Sequence, residues 1–199
     1  MSTRPPKILA FAGSTRTESY NKKLIHIAAD AARAAGAEVT LIDLRDYPLP
    51  LFDGDLEDAQ GLPENAKKLK ALFNSHDALL ISAPEYNSSI TGVLKNTIDW
   101  VSREATDDEP ALRDFKGKVA TLLSASPGAL GGLRSLVHVR AILGNIGVIV
   151  LPTQVSVPKA HEAFDESGKL KEERVTKQVT DAVDGLTKFL RKYLGPPNP

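Results

Sequence analysis

The 199-residue sequence contains no cysteine, one methionine and one tryptophan. Without cysteine there is no disulfide, no thiolate nucleophile, no cysteine-bound zinc and no cysteine-ligated iron–sulfur cluster. Excess charge is also missing, because 25 Lys and Arg balance 25 Asp and Glu. Neutralising a nucleic-acid backbone needs a surplus of cations, so nucleic acid is not an expected partner. No apolar run approaches the ~18–20 residues that span a bilayer. The stretch Ile8 to Ala12 near the start is too short for a signal-peptide core, and a soluble cytoplasmic protein with no membrane insertion is expected.

What the sequence does have is alternation. Short, continuously apolar runs at Lys7 to Ala12, Glu38 to Asp43, Asp77 to Pro84, Lys118 to Ser124 and Gly147 to Leu151 have the length of strands covered on both faces. Between them lie segments of helical period. Ile90, Val93, Leu94, Thr97, Ile98 and Val101 follow one helical face. Asn21 to Ala35 carries Leu24, Ile25, Ala28, Ala31 and Ala35, with Gly36 placed to end the helix. Further helices are expected at Pro63 to Asn74, Leu130 to Gly144 and Lys169 to Tyr193, followed by a frayed tail over residues 194–199. Five strand–helix units predict one three-layer α/β domain, 1–199, with a parallel sheet and helices on both faces. Right-handed crossovers then put the functional crevice at the C-terminal ends of the strands.

After the first run comes Gly13-Ser14-Thr15-Arg16-Thr17-Glu18-Ser19-Tyr20-Asn21. Hydroxyls, a guanidinium and a helix N-terminus converge there, which suits a phosphate group. The loop is neither a dinucleotide fingerprint nor a nucleoside-triphosphate loop, so a monophosphate is the expected guest. The other reading is that Ser19 or Asn21 caps the helix and Arg16 is solvated. After the third run, Pro84-Glu85-Tyr86-Asn87-Ser88-Ser89 brings backbone donors and an aromatic ring to the crevice, a setting for a flat heteroaromatic ligand. A helix cap from Asn87, Ser88 or Ser89 is compatible with that role.

Together, Gly13-Ser14-Thr15-Arg16-x-x-Ser19-x-Asn21-x-x-Leu24 and Pro84-Glu85-Tyr86-Asn87-Ser88-Ser89-x-x-Gly92-x-Leu94-Lys95-Asn96-x-x-Asp99-Trp100 resemble the NAD(P)H-dependent FMN reductases of the flavodoxin-like class. Bacterial chromate, quinone and azo reductases form the most similar subgroup. Asp43 to Asp53 and Ser124-Ala125-Ser126-Pro127-Gly128-x-x-Gly131-Gly132-x-Arg134 agree, so the resemblance covers roughly residues 7 to 150. It implies a five-stranded sheet in the order 2-1-3-4-5. It also implies FMN phosphate contacts at Ser14, Arg16, Ser19, Tyr20 and Asn21, and isoalloxazine contacts at Pro84, Glu85, Tyr86 and Asn87. Ser124, Ser126 and Gly128 would flank the opposite edge. Gly131 and Gly132 would permit close approach of a nicotinamide, and Arg134 would meet the extra phosphate of NADPH, an exposed helical Arg being the other reading.

The implied reaction carries hydride from NADPH or NADH to FMN and then to a small acceptor such as a quinone, azo compound, free flavin or chromate. No side chain is required as nucleophile or metal ligand. His26, His76, His138 and His161 have no ligand spacing, and each reads as a surface or helix residue. A homo-oligomer, dimer or tetramer, is implied, with Tyr47 to Phe52 and Trp100 as interface candidates against a fold within the chain's own core. A flavodoxin-type electron carrier is the rival reading, although zero net charge argues against the acidic surface of such shuttles. A phosphosugar or nucleotide enzyme using the 14–21 loop without flavin is a third.

Overall fold

A computed structural model describes residues 4–195. The order of elements is β1 Lys7–Ala12, α1 Tyr20–Ala34, β2 Glu38–Asp43, a 3-10 turn Leu44–Asp46, α2 Gly54–Gln60, α3 Glu64–Ser75, β3 Ala78–Ser82, α4 Gly92–Val101, β4 Val119–Ala125, α5 Leu133–Asn145, β5 Ile149–Val157, α6 Ala160–Ala163 and α7 Glu173–Tyr193. The five strands form a parallel sheet in the order β2-β1-β3-β4-β5. Chain order reverses where β3 lies beside β1, which opens the crevice at the strand C-termini.

Burial follows from alternation within the three central strands. Ile8, Ala10, Leu80 and Leu123 face α1 and α7, whereas Leu9, Phe11, Leu79, Ile81 and Leu122 face α3, α4 and α5. Both faces being covered, these strands read as unbroken apolar runs. The α1 stripe is turned relative to the expected one: Asn21, Leu24, Ile25, Ala28, Ala29 and Ala32 are buried, while Ala31 and Ala35 lie at its margin. Gly36 closes α1 as expected, with φ +83° and its N–H on Arg33 O.

Several boundaries differ for local reasons. β5 runs on to Val157, past the expected end at Leu151, because a bulge opposite Ala120 to Leu122 absorbs Pro152. A proline tolerated in a bulge on an edge strand reads, in sequence, as the strand's end. The terminal helix begins at Glu173, not Lys169, since Lys169 belongs to a turn whose N–H donates to Asp165 Oδ1. Leu194 packs against the core at the end of α7, so the expected fraying does not begin there. The remaining tail expectation, residues 196–199, lies outside the described residues.

His76 is also not a surface residue. It is buried, with Nδ1 2.6 Å from Leu72 O and Nε2 2.7 Å from Thr40 Oγ1. Trp100 is fully buried, packed edge-on against Phe52 at 5.0 Å, and donates its indole N–H to Pro50 O at 2.8 Å. Asn96 pins the same loop by accepting from Phe52 N–H and donating to Pro50 O. Pro50 and Phe52 are thereby fastened to the chain's own core while Leu51 between them stays exposed, and Trp100 is a core residue instead of an interface residue.

Candidate functional site

Three loops at the C-terminal ends of β1, β3 and β4 enclose a cavity of about 90 Å³ lined by Ser14, Arg16, Ser19, Tyr20, Asn21, Pro84, Glu85, Tyr86, Ala125, Ser126 and Pro127. Two sequence segments expected to act on one ligand, 14–21 and 84–86, are thus brought together. Among the described residues the Arg16 guanidinium has no partner, and Ser14 Oγ accepts only from the Arg16 main-chain N–H. Ser19 precedes α1 with extended backbone and makes no side-chain cap, so the first N–H groups of the helix remain open toward the cavity. A free cation, hydroxyls and open helical N–H groups make a donor set with the chemistry to receive an anion.

The 14–21 loop is held from three sides. Thr91 Oγ1, fully buried, donates to Gly13 O at 2.6 Å and accepts from Leu94 N–H, capping α4. Thr91 therefore fills the cap expected of Asn87, Ser88 or Ser89. Arg45 donates to Thr15 O through Nε at 2.9 Å and through Nη2. Lys22 pairs with Asp43 at 2.5 Å. Burial pushes the Asp43 carboxyl up, but hydrogen bonds from Lys22 and Arg45 N–H outweigh it and hold the group below its ordinary value. Asn21 faces inward: its amide accepts from Ser82 Oγ and Ala125 N–H and donates to Ala125 O. Its side chain locks α1 to two strand ends, leaving its main-chain N–H for the cavity.

The opposite wall is equally constrained. Ala83 O accepts from both Ser124 Oγ at 2.6 Å and Ser135 Oγ at 3.0 Å. Ser124 is fully buried, so it braces the Pro84 loop from below and is not itself at the cavity wall. Ser126 is at the wall, and its Oγ accepts from Gly128 N–H. Gly131 and Gly132 have φ of +60° and +87°, and a Cβ there would lie 2.6 Å from Pro158 N and 1.9 Å from Ser124 Oγ. Packing within the chain is thus sufficient reason for both glycines, without invoking a nicotinamide.

A family model described as NADPH-dependent FMN reductase matches residues 6–162. The chain belongs to this family, and it is an oxidoreductase. An NAD(P)H-dependent FMN reductase of Pseudomonas aeruginosa is 33% identical over 95% of this chain and 97% of its own length. A probable NADPH:quinone oxidoreductase of rice is 30% identical over 98% and 95%. Among solved structures, the flavoenzyme NAD(P)H:(acceptor) oxidoreductase of Paracoccus denitrificans superposes with a TM-score of 0.79 at 27% identity, covering 94% of this chain and 98% of that one.

For an FMN reductase, the structure reassigns some expected residues and adds others. Arg134 does not stand free for a phosphate: its main-chain N–H, Nε and Nη2 all engage the Glu85 carboxylate. Glu85 correspondingly has an occupied side chain, leaving its backbone to face the cavity. Tyr20 stacks on Phe164 at 6.0 Å while lining the cavity. Tyr86 is exposed while lining the cavity, and Asn87, Gly128 and Gly131 do not line it. Thr91, Arg45 and Ser135 were not expected as site residues. Thr91 had a local signal, a threonine three residues ahead of Leu94 on a strongly periodic helix; the other two depend on contacts that only the fold creates.

Proposed function

We propose that this chain is an NAD(P)H-oxidising reductase that holds FMN across the cavity and passes electrons to a small acceptor of the quinone, azo, free-flavin or chromate type. The observation that carries this reading is the unpaired Arg16 guanidinium, set beside the Ser14 and Ser19 hydroxyls and the α1 N-terminus in the same cavity as Pro84 to Tyr86 and Ser126. That donor set fits the monophosphate of FMN. The cavity is open on one side, and a flat ring would lie there against the 84–86 and 126–127 loops. Bound FMN supplies acceptance of two electrons from a nicotinamide and their release to the acceptor.

The protein's part is binding, orientation and electrostatics. Arg16, Ser14, Ser19 and the N–H groups of Tyr20 and Asn21 bind the phosphate. Pro84, Glu85 and Tyr86, and Ser126 with Gly128, border the ring through main-chain groups. The exposed mouth admits nicotinamide and acceptor in turn, and no side chain there is needed as a nucleophile. Leu130, Leu133 and Val137 are exposed together along the start of α5, which supports self-association, to be read by light scattering. No helix among the described residues is long and apolar enough to cross a membrane.

The deciding experiment is an anaerobic titration. The purified protein should take up FMN with a flavin spectrum, NADPH should bleach it, and a quinone should restore the colour. A chain that stays colourless at saturating FMN overturns the reading.

A further inference from the structure

Helix α5 touches the 83–89 loop at three points. Ser135 holds Ala83 O, Arg134 holds the Glu85 carboxylate, and His138 Nδ1 lies 2.8 Å from Ser89 Oγ. Arg134 and His138 are one turn apart and therefore share a face of the helix. Between their two targets the chain reverses on itself: Tyr86 and Ser89 exchange both main-chain hydrogen bonds at 3.0 Å. The central residues, Asn87 and Ser88, have φ of +50° and +66°. Asn adopts the left-handed region readily, but Ser does so rarely, so Ser88 is the residue whose conformation needs support from its surroundings. Here the two anchors flank the turn directly, at Glu85 and at Ser89.

We propose that Arg134 and His138 are positioning residues, clamping the Tyr86–Ser89 turn as a preformed wall against which nicotinamide and acceptor dock. The inference rests on the reductase reading of this same site. Neither side chain touches reacting atoms; Arg134 acts through Glu85 and His138 through Ser89. If the turn is released, only a fraction of molecules present the wall, and the apparent affinity for the donor falls by that fraction. Because Arg134 is committed to Glu85, it serves NADH and NADPH alike.

The test uses the full chain with Arg134→Ala, Arg134→Lys, His138→Ala and His138→Asn. The last keeps an amide where Nδ1 stood, able to pair with Ser89 Oγ. In flavin-free protein, hydrogen exchange over residues 84–90 should quicken about tenfold in Arg134→Ala, the size expected for loss of a charge-assisted contact, and about threefold in His138→Ala, whose contact with Ser89 is exposed. Exchange in α1 should stay as in the parent, and His138→Asn should recover most of the protection. In FMN-loaded enzyme, KM should rise in each variant by a factor similar to its change in exchange, for both NADPH and NADH, with kcat held within about twofold. Arg134→Lys, which keeps the charge but loses the forked contact, should fall between parent and alanine.

Unchanged exchange over 84–90 overturns the clamp, and so does faster exchange with unchanged KM. A rise in KM for NADPH alone would make Arg134 a phosphate contact and overturn the positioning role. A parent protein that takes up no FMN defeats the reductase reading itself, and the positioning role with it.

Discussion

The side chain of Asn21 is paired with the main chain of Ala125 in both directions, donating to its carbonyl at 2.8 Å and accepting from its N–H at 3.0 Å. The same amide oxygen accepts from Ser82 Oγ at 2.8 Å. One asparagine in the first turn of α1 therefore ties the ends of β3 and β4 together beneath the cavity. Asn21→Leu removes all three contacts and leaves the Ala125 N–H buried without a partner, a change expected to cost about 2–4 kcal/mol. Urea unfolding of the apo protein measures it, and a loss below ~1 kcal/mol would show that the strut carries no weight.

Arg16 has the opposite character, a charged group without a partner among the described residues. Its removal should spare the fold and weaken FMN. For Arg16→Ala, a change in urea midpoint within error is expected, together with a loss of ~1–3 kcal/mol in FMN affinity, the range of a charge-assisted contact. Titration by flavin fluorescence reads the affinity. An unchanged dissociation constant in the folded variant would remove Arg16 from the phosphate cradle.

That contrast also explains what was legible in the sequence. The central strands were, because burial on both faces leaves nothing but apolar residues between Ile8 and Ala12 or Leu79 and Ile81. The 14–21 loop was legible as a place where donors gather at the crevice, since hydroxyls and an Arg between a strand and a helix state their chemistry locally. Asn21 was legible as a member of the loop but not as a strut, because its partners are 61 and 104 residues away. The helix Gly54–Gln60 had no readable stripe because none of its residues is buried. Trp100 misled for a related reason: its partner Phe52 lies on a loop, so the pocket that buries it has no periodic signature.

Acid should weaken the fold through its paired carboxylates. Burial pushes the Asp77 carboxyl up, but two hydrogen bonds from Arg4 and one from Lys7 N–H prevail and set it below its ordinary value. Burial likewise raises Glu109, and Lys70 with Ala105 N–H brings it down. A carboxyl depressed in the folded state stabilises at every pH above its unfolded value, near 4, and loses that contribution as pH falls through the folded value. The urea midpoint should therefore be level from about pH 5 to 7 and drop below about pH 4. Asp77→Asn should flatten part of that drop; an identical acid limb in the variant would refute the assignment.

Lys70 poses a sharper test of how the long α4–β4 connection is held. Its ammonium is buried within 2.6 Å of both Glu109 Oε1 and Asp114 Oδ2 and also donates to Arg103 O at 2.6 Å. The approach to Asp114 is an ion pair that falls short of a directed hydrogen bond, so charge neutralisation is its main contribution. Replacing Lys70 alone leaves two carboxylates buried with reduced compensation, which typically costs ~3–5 kcal/mol, whereas replacing the whole group with apolar residues of similar volume costs far less. Lys70→Met should accordingly destabilise by about that amount, and the triple variant Lys70→Met, Glu109→Gln, Asp114→Asn should recover part of the loss. FMN affinity should not change in either, because none of these three residues lines the cavity. If the triple variant proves less stable than Lys70→Met, the cluster acts through its hydrogen bonds to the 101–105 backbone and not through charge balance.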